Sequence, residues 1–129
     1  MKILLAVDGS SFSKAAVEEL HKMTLPSHTE ICIINVYEYP AMLGPELMAT
    51  GGNLNNYFEE FISGAKKLGD KIVSEASDVL KSKNEALNIT TAVVSGLPKS
   101  AILEKAEDWK ADLIVVGSQG QGALSRLLL

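Results

Sequence analysis

Ile3-Leu4-Leu5-Ala6-Val7-Asp8-Gly9-Ser10-Ser11 opens the chain with an unbroken apolar run, a turn and a helix-start signal. The run is continuous rather than alternating, which suits a strand covered on both faces, as in a parallel sheet. Asp-Gly-Ser-Ser combines turn residues with residues that cap helix N-termini. Ser13 to Met23 then places Ala15, Ala16, Leu20 and Met23 near helical spacing, before Pro26 and Ser27 break it. A strand leading straight into a helix is the first half of a crossover, so a second parallel strand is expected to follow.

That strand is Glu30 to Val36, again a buried-type run. Glu38 to Asn56 reads as a long loop, with two prolines, the Gly51-Gly52 pair and three asparagines. A long helical pattern starts at Leu54 and runs through Phe58, Phe61, Ile62, Ala65, Leu68, Ile72, Ala76 and Leu80, ending near Asn84. Gly64 and Gly69 weaken it without stopping it. Ile89 to Val94 is a third strand, rich in Thr and Val. Gly96-Leu97-Pro98 turns into a helix ending at Trp109, with Ile102, Leu103 and Ala106 facing inward. Asp112 to Val116 is the fourth strand. A glycine run from Gly117 to Gly122 follows, and Ala123 to Leu129 begins a last helix. Alternating strands and helices predict an α/β fold: an open parallel sheet with helices on both faces and strand order 3-2-1-4.

At 129 residues the chain is expected to form one domain, residues 1–129. A net charge of −4 argues against a nucleic-acid partner, since gripping a phosphate backbone needs a basic patch. The apolar start is too short for a signal peptide or membrane span, and the one cysteine, Cys32, lies in an apolar run. Both fit a cytoplasmic protein with no membrane partner.

Open parallel sheets bind ligands beyond the carboxyl ends of their strands, where strand order reverses. With order 3-2-1-4 the reversal lies between strands one and four. The residues leaving them are Asp8-Gly9-Ser10 and Gly117-Ser118-Gln119-Gly120-Gln121-Gly122. Glycine lets backbone N–H groups approach an anion closely, and a helix N-terminus adds a favourable dipole. Ser118, Gln119, Gln121 and Ser125 add neutral donors. The same glycines equally suit a tight turn. Asp8 either shapes the Asp-Gly turn and caps the helix, or accepts hydrogen bonds from a ligand hydroxyl or amine. A carboxylate repels a phosphate chain, so Asp8 faces a nucleoside or shares a Mg²⁺ ion with the nucleotide. No G-x-x-x-x-G-K-[ST] loop is present, and no G-x-G-x-x-G follows the first strand. His21, His28, Trp109, Met42, Met48 and the Lys66-Lys67 pair read as surface or packing residues. Arg126 either reaches a phosphate or faces water.

Ile3 to Ser10, together with Gly96-Leu97-Pro98, Ile102, Ala106 and Ala111 to Ser118, resembles universal stress proteins. The resemblance runs from Met1 to Leu129 and is weakest in the long second loop. It implies an adenine-nucleotide alpha-hydrolase-like fold. It implies ATP or AMP as ligand, often with Mg²⁺, and a homodimer as the usual state. Nucleotide-binding members carry G-x2-G-x9-G-[ST] after strand four. Gly117 and Gly120 match its first two glycines, and the third would fall one residue beyond Leu129. The chain is therefore expected to be C-terminally truncated, without the family's last helix and fifth strand, leaving strand four as a bare edge. By resemblance Ala6, Val7 and Asp8 line the adenosine site, Val36 meets the adenine edge through its backbone, and Val116, Gly117 and Gly120 approach ribose and phosphates.

The implied function is a nucleotide-binding regulatory protein of stress response. Slow ATP hydrolysis is a competing reading: Asp8 is the only obvious crevice carboxylate and no lysine lies in the glycine loop. A dimerising interaction module that binds no nucleotide is another.

Overall fold

A computed structural model describes residues 1–38, 54–82, 86–117 and 126–128. Strand β1 (Lys2–Ala6) lies inside the sheet, with Ile3, Leu4 and Leu5 fully buried. Side chains alternate across a strand. Ile3, Leu5 and Val7 therefore pack with Ala16, Val17 and Leu20 of α1 (Ser11–Lys22) and with Val73, Ala76 and Leu80 of α2 (Leu54–Lys81). Leu4 and Ala6 face the opposite layer, with Ala106 of α3 (Pro98–Trp109). The unbroken apolar run of β1 is thus the signature of a strand with helices above and below it.

Strand β2 (Glu30–Tyr37) pairs in parallel with β1 from Lys2↔Glu30 to Ala6↔Ile34. It buries Ile31 and Ile33 under α1 and α2, and Cys32 and Ile34 under α3. Strand β3 (Asn88–Ser95) pairs with the side of β2 away from β1, and β4 (Leu113–Val116) with the side of β1 away from β2, from Ile3↔Leu113 to Ala6↔Val116. The four parallel strands stand in the order 3-2-1-4, as the alternation predicts. Helix α2 runs 28 residues through both Gly64 and Gly69. Among the described residues no helix is long and apolar enough to cross a membrane.

Local chemistry explains the element boundaries. Ser10 is the N-cap of α1, its Oγ accepting the Ser13 N–H at 3.2 Å. Replacing Ser10 with alanine is expected to cost about 1 kcal/mol, read as a lower urea midpoint at unchanged slope. Pro98 occupies the first turn of α3, and Lys110 ends that helix in the left-handed region at φ 61°. The start of β4 is tied to β1 by two bonds of 2.7 Å: Lys2 N–H to Asp112 Oδ2, and Asp112 N–H to the Lys2 carbonyl. The Lys2 ammonium caps the Trp109 carbonyl at 3.2 Å and lies 5.3 Å from the centre of its ring.

Two expectations are corrected. Arg126–Leu128 forms not part of a helix but a short strand, β5, antiparallel to β4 from Leu113↔Leu128 to Val115↔Arg126. The edge of β4 is therefore covered along this length rather than bare. An unpaired strand edge offers a row of backbone donors and acceptors, and a nearby apolar segment can satisfy them. Leu103 is 38% exposed, although helical spacing alone puts it inward. The sheet-facing stripe of α3 is Ile102, Ala106 and Trp109, and Leu103 falls outside it.

Candidate functional site

Ala6 and Val116 are register partners on neighbouring parallel strands. The chain exits at Asp8 and Gly117 consequently leave the sheet side by side, at the point where strand order reverses. The first exit is a compact hydrogen-bonded turn. Gly9 adopts φ +82°, the Ser10 N–H donates to Asp8 Oδ1 at 2.9 Å, and the Asp8 N–H donates to Ser13 Oγ at 3.1 Å. Asp8 therefore shapes the turn and remains exposed, with acceptor capacity to spare, since a carboxylate offers about four lone-pair sites.

A cleft of about 510 Å³ opens between this turn, the end of β2 and the first half of α2. Asp8, Asn35, Val36, Tyr37, Glu60 and Phe61 line it, with Leu68 and Ile72 farther along α2. The Tyr37 and Phe61 rings meet edge to face, with centroids 6.4 Å apart. Asp8 and Glu60 are its charged lining residues, so the cleft is acidic and suits a sugar or base better than a phosphate.

Strand parity decides what Val36 presents. The Glu30 N–H donates to the Met1 carbonyl at 2.9 Å, and the Val7 N–H donates to the Ile34 carbonyl at 2.9 Å. Even-numbered residues of β2 thus turn their backbone groups toward β1. Val36 is the next even residue, and the β1 pairing stops at Ala6↔Ile34. The Val7 carbonyl is engaged by Asn35 Nδ2 at 2.9 Å. Val36 accordingly turns one donor and one acceptor toward the cleft instead of toward a strand.

Gly117 has a packing role. A Cβ built there would stand 2.2 Å from the Phe12 carbonyl oxygen and 3.0 Å from Ala16 Cβ, so the first turn of α1 lies directly on it. Ala6 and Val7 bury their side chains in opposite layers, and Val116 is half-buried on the α3 side. Of the site residues expected from sequence, Asp8 and Val36 line the cleft. Ala6, Val7, Val116 and Gly117 form the adjoining strand ends without lining it. Ser118, Gly120 and Gly122 lie outside the described residues.

A larger opening of about 800 Å³ lies at the other end of the sheet and includes His21 and His28. Helices α1 and α2 end there, presenting carbonyl-rich C-termini that disfavour an anion. Among the described residues no group of three or more His, Cys, Asp or Glu side chains could hold a metal ion.

The sequence matches the model of the universal stress protein family over residues 1–129. The chain belongs to the universal stress protein family. It is 30% identical over 128 residues to the universal stress protein in the QAH/OAS sulfhydrylase 3′ region of Thermus aquaticus, covering 98% of this chain and 83% of that protein. Universal stress protein YxiE of Bacillus subtilis is 28% identical over 135 residues, covering 99% and 85%. A solved universal stress protein in complex with cAMP superposes with a TM-score of 0.61 at 26% identity, over 96% of this chain and 77% of that one.

This universal stress protein also carries site features that the sequence reading passed over. Asn35 is 6% exposed, a polar residue in line with Ile31 and Ile33, and that break in an apolar run is its one sequence signal. Glu60 shares the cleft with Asp8, so Asp8 is not the only crevice carboxylate. Helix propensity alone marks Gly69 only as a weak point in α2. A Cβ there would stand 2.7 Å from Asn35 Oδ1 and 2.6 Å from Val93 Cγ1, so the glycine lets α2 settle onto Asn35.

Proposed function

We propose that this universal stress protein binds an adenine nucleotide, AMP or ATP, at the switch-point cleft and acts as a regulatory protein whose partner choice follows nucleotide occupancy. The supporting observation is the Val36 backbone, one donor and one acceptor facing a cleft that also holds Asp8 and the Tyr37–Phe61 pair. Adenine offers an acceptor at N1 beside a donor at its 6-amino group, which is the complement of a peptide edge. Aromatic rings and Ile72 supply the apolar walls that a base needs. The solved relative bound to cAMP supports an adenine nucleotide as the ligand class.

In this reading Ala6, Val7 and Asp8 flank the nucleoside, and Asp8 accepts from a ribose hydroxyl. The phosphates leave the acidic cleft past Val116 and Gly117 toward Ser118, Gly120 and Gly122. Asp8 by itself is too few ligands for Mg²⁺; a magnesium ion fits only with the nucleotide's own phosphates completing its shell. Residues 1–129 act as one domain, cytoplasmic and homodimeric, with no residue set assigned to turnover.

Calorimetric titration of the full chain with AMP, and with ATP in the presence and absence of Mg²⁺, tests this. Saturable binding is expected. Asp8→Ala is expected to weaken it about tenfold or more, the worth of a hydrogen bond to a charged group. Asp8→Asn keeps an acceptor for the Ser10 N–H and is expected to fall between the two. Absence of both heat and thermal stabilisation with every adenine nucleotide overturns the proposal.

A further inference from the structure

We infer that Asn35 is a positioning residue that keeps the Val36 edge open and so sets base specificity; the specificity half rests on the nucleotide reading above. The β1–β2 ladder should add one more rung after the Val7 N–H to Ile34 carbonyl bond, namely Val36 N–H to the Val7 carbonyl. Asn35 Nδ2 takes that carbonyl instead, at 2.9 Å. The side chain of one β2 residue thus replaces the rung that the next residue would have made.

The position is otherwise apolar. Asn35 stands in the layer of Ile31, Ile33, Val73 and Ala76, where an amide must be hydrogen-bonded to offset its desolvation. Gly69 completes the arrangement on α2, where any larger residue would collide with Asn35 Oδ1. A mid-helix glycine costs stability relative to alanine. Two residues that each weaken their own element therefore meet at one point, and the product of the meeting is an unpaired Val36 edge beside Asp8.

An open Val36 edge distinguishes bases. Adenine pairs with it as acceptor plus donor. Hypoxanthine presents N1–H and O6, the reverse order, and sets donor against donor and acceptor against acceptor. Closing the ladder would take the Val36 N–H away and level the two bases.

Asn35→Leu, near in size but without a donor, tests the inference alongside Asn35→Ala, which keeps the position small in case leucine disturbs packing. Val36 amide exchange is followed by NMR in the free protein, and affinities for AMP and IMP are measured by titration. The Val36 amide is expected to exchange fast in the wild type and about tenfold slower in the variants, as it joins the Val7 carbonyl. The AMP/IMP affinity ratio is expected to fall about tenfold, toward one. A general loss of stability would move neither reading in this direction. Unchanged Val36 exchange overturns the positioning role, and an unchanged AMP/IMP ratio overturns the specificity role. If the wild type binds neither nucleotide, the specificity role falls with the nucleotide reading, while the exchange rate still decides whether Asn35 holds the edge open.

Discussion

Gly117→Ala is expected to destabilise the protein by about 3 kcal/mol, at the upper end for overpacking, because the clash is with backbone. The added Cβ would lie 2.2 Å from the Phe12 carbonyl oxygen and 2.8 Å from its carbonyl carbon. Neither atom can swing aside as a flexible side chain can, so the first turn of α1 has to lift from β4. That turn follows directly on Asp8-Gly9-Ser10, and the cap from Ser10 to Ser13 would be strained with it. Gly64→Ala is the matched control. No atom lies within 4 Å of its added Cβ, and an alanine in mid-helix is favoured over glycine, so a gain of about 0.5–1 kcal/mol is expected. Urea denaturation of both variants separates the cases. A Gly117→Ala midpoint equal to that of the wild type would mean that α1 does not rest on this residue.

Truncating Ile33 to alanine is expected to cost about 4 kcal/mol, and truncating its neighbour Ile34 about 3 kcal/mol, within the range for buried isoleucines. Both are essentially inaccessible, at 0% and 1% exposure, but they face different layers. Ile33 lies beneath two helices, among Val17, Leu20, Val73 and Ala76, which are themselves buried and held in place. Ile34 lies beneath α3, where the surrounding Val36, Val94, Ile102 and Val116 are only partly buried. Partly exposed neighbours can close over a void more easily, and a void that closes costs less. The comparison is made from chemical denaturation of the two variants side by side. A larger loss at Ile34 than at Ile33 would contradict the view that the α3 layer is the looser one.

The parallel sheet was legible because its signal is local. Ile3–Val7, Ile31–Ile34 and Leu113–Val116 are unbroken apolar runs, and the first and last of them lead into glycine-bearing turns. Strand order followed from the crossover rules, and with it the pairing of the Asp8 and Gly117 exits. What was not legible depends on contacts between distant segments. Ala123–Leu129 looks helical by composition, but the decisive partner of Arg126–Leu128 is the edge of β4. Gly117 reads as a phosphate-approach or turn glycine, whereas its close neighbour is Phe12, near the other end of the chain. Asn35 seems an incidental polar residue in a strand until the Val7 carbonyl and Gly69 are both placed against it. Glu60 enters the cleft only because α2 is laid along the end of β2.

Cys32 gives the molecule an internal clock. It is the sole cysteine, 3% exposed, in the middle of β2 and under α3. A thiol reagent in native buffer can reach its sulfur only while α3 is lifted from the sheet, so the labelling rate, divided by that of an unstructured peptide thiol, measures how often that layer opens. A nucleotide that binds only the folded state would slow this clock, to the extent that the opening is global, without any change to the cysteine itself.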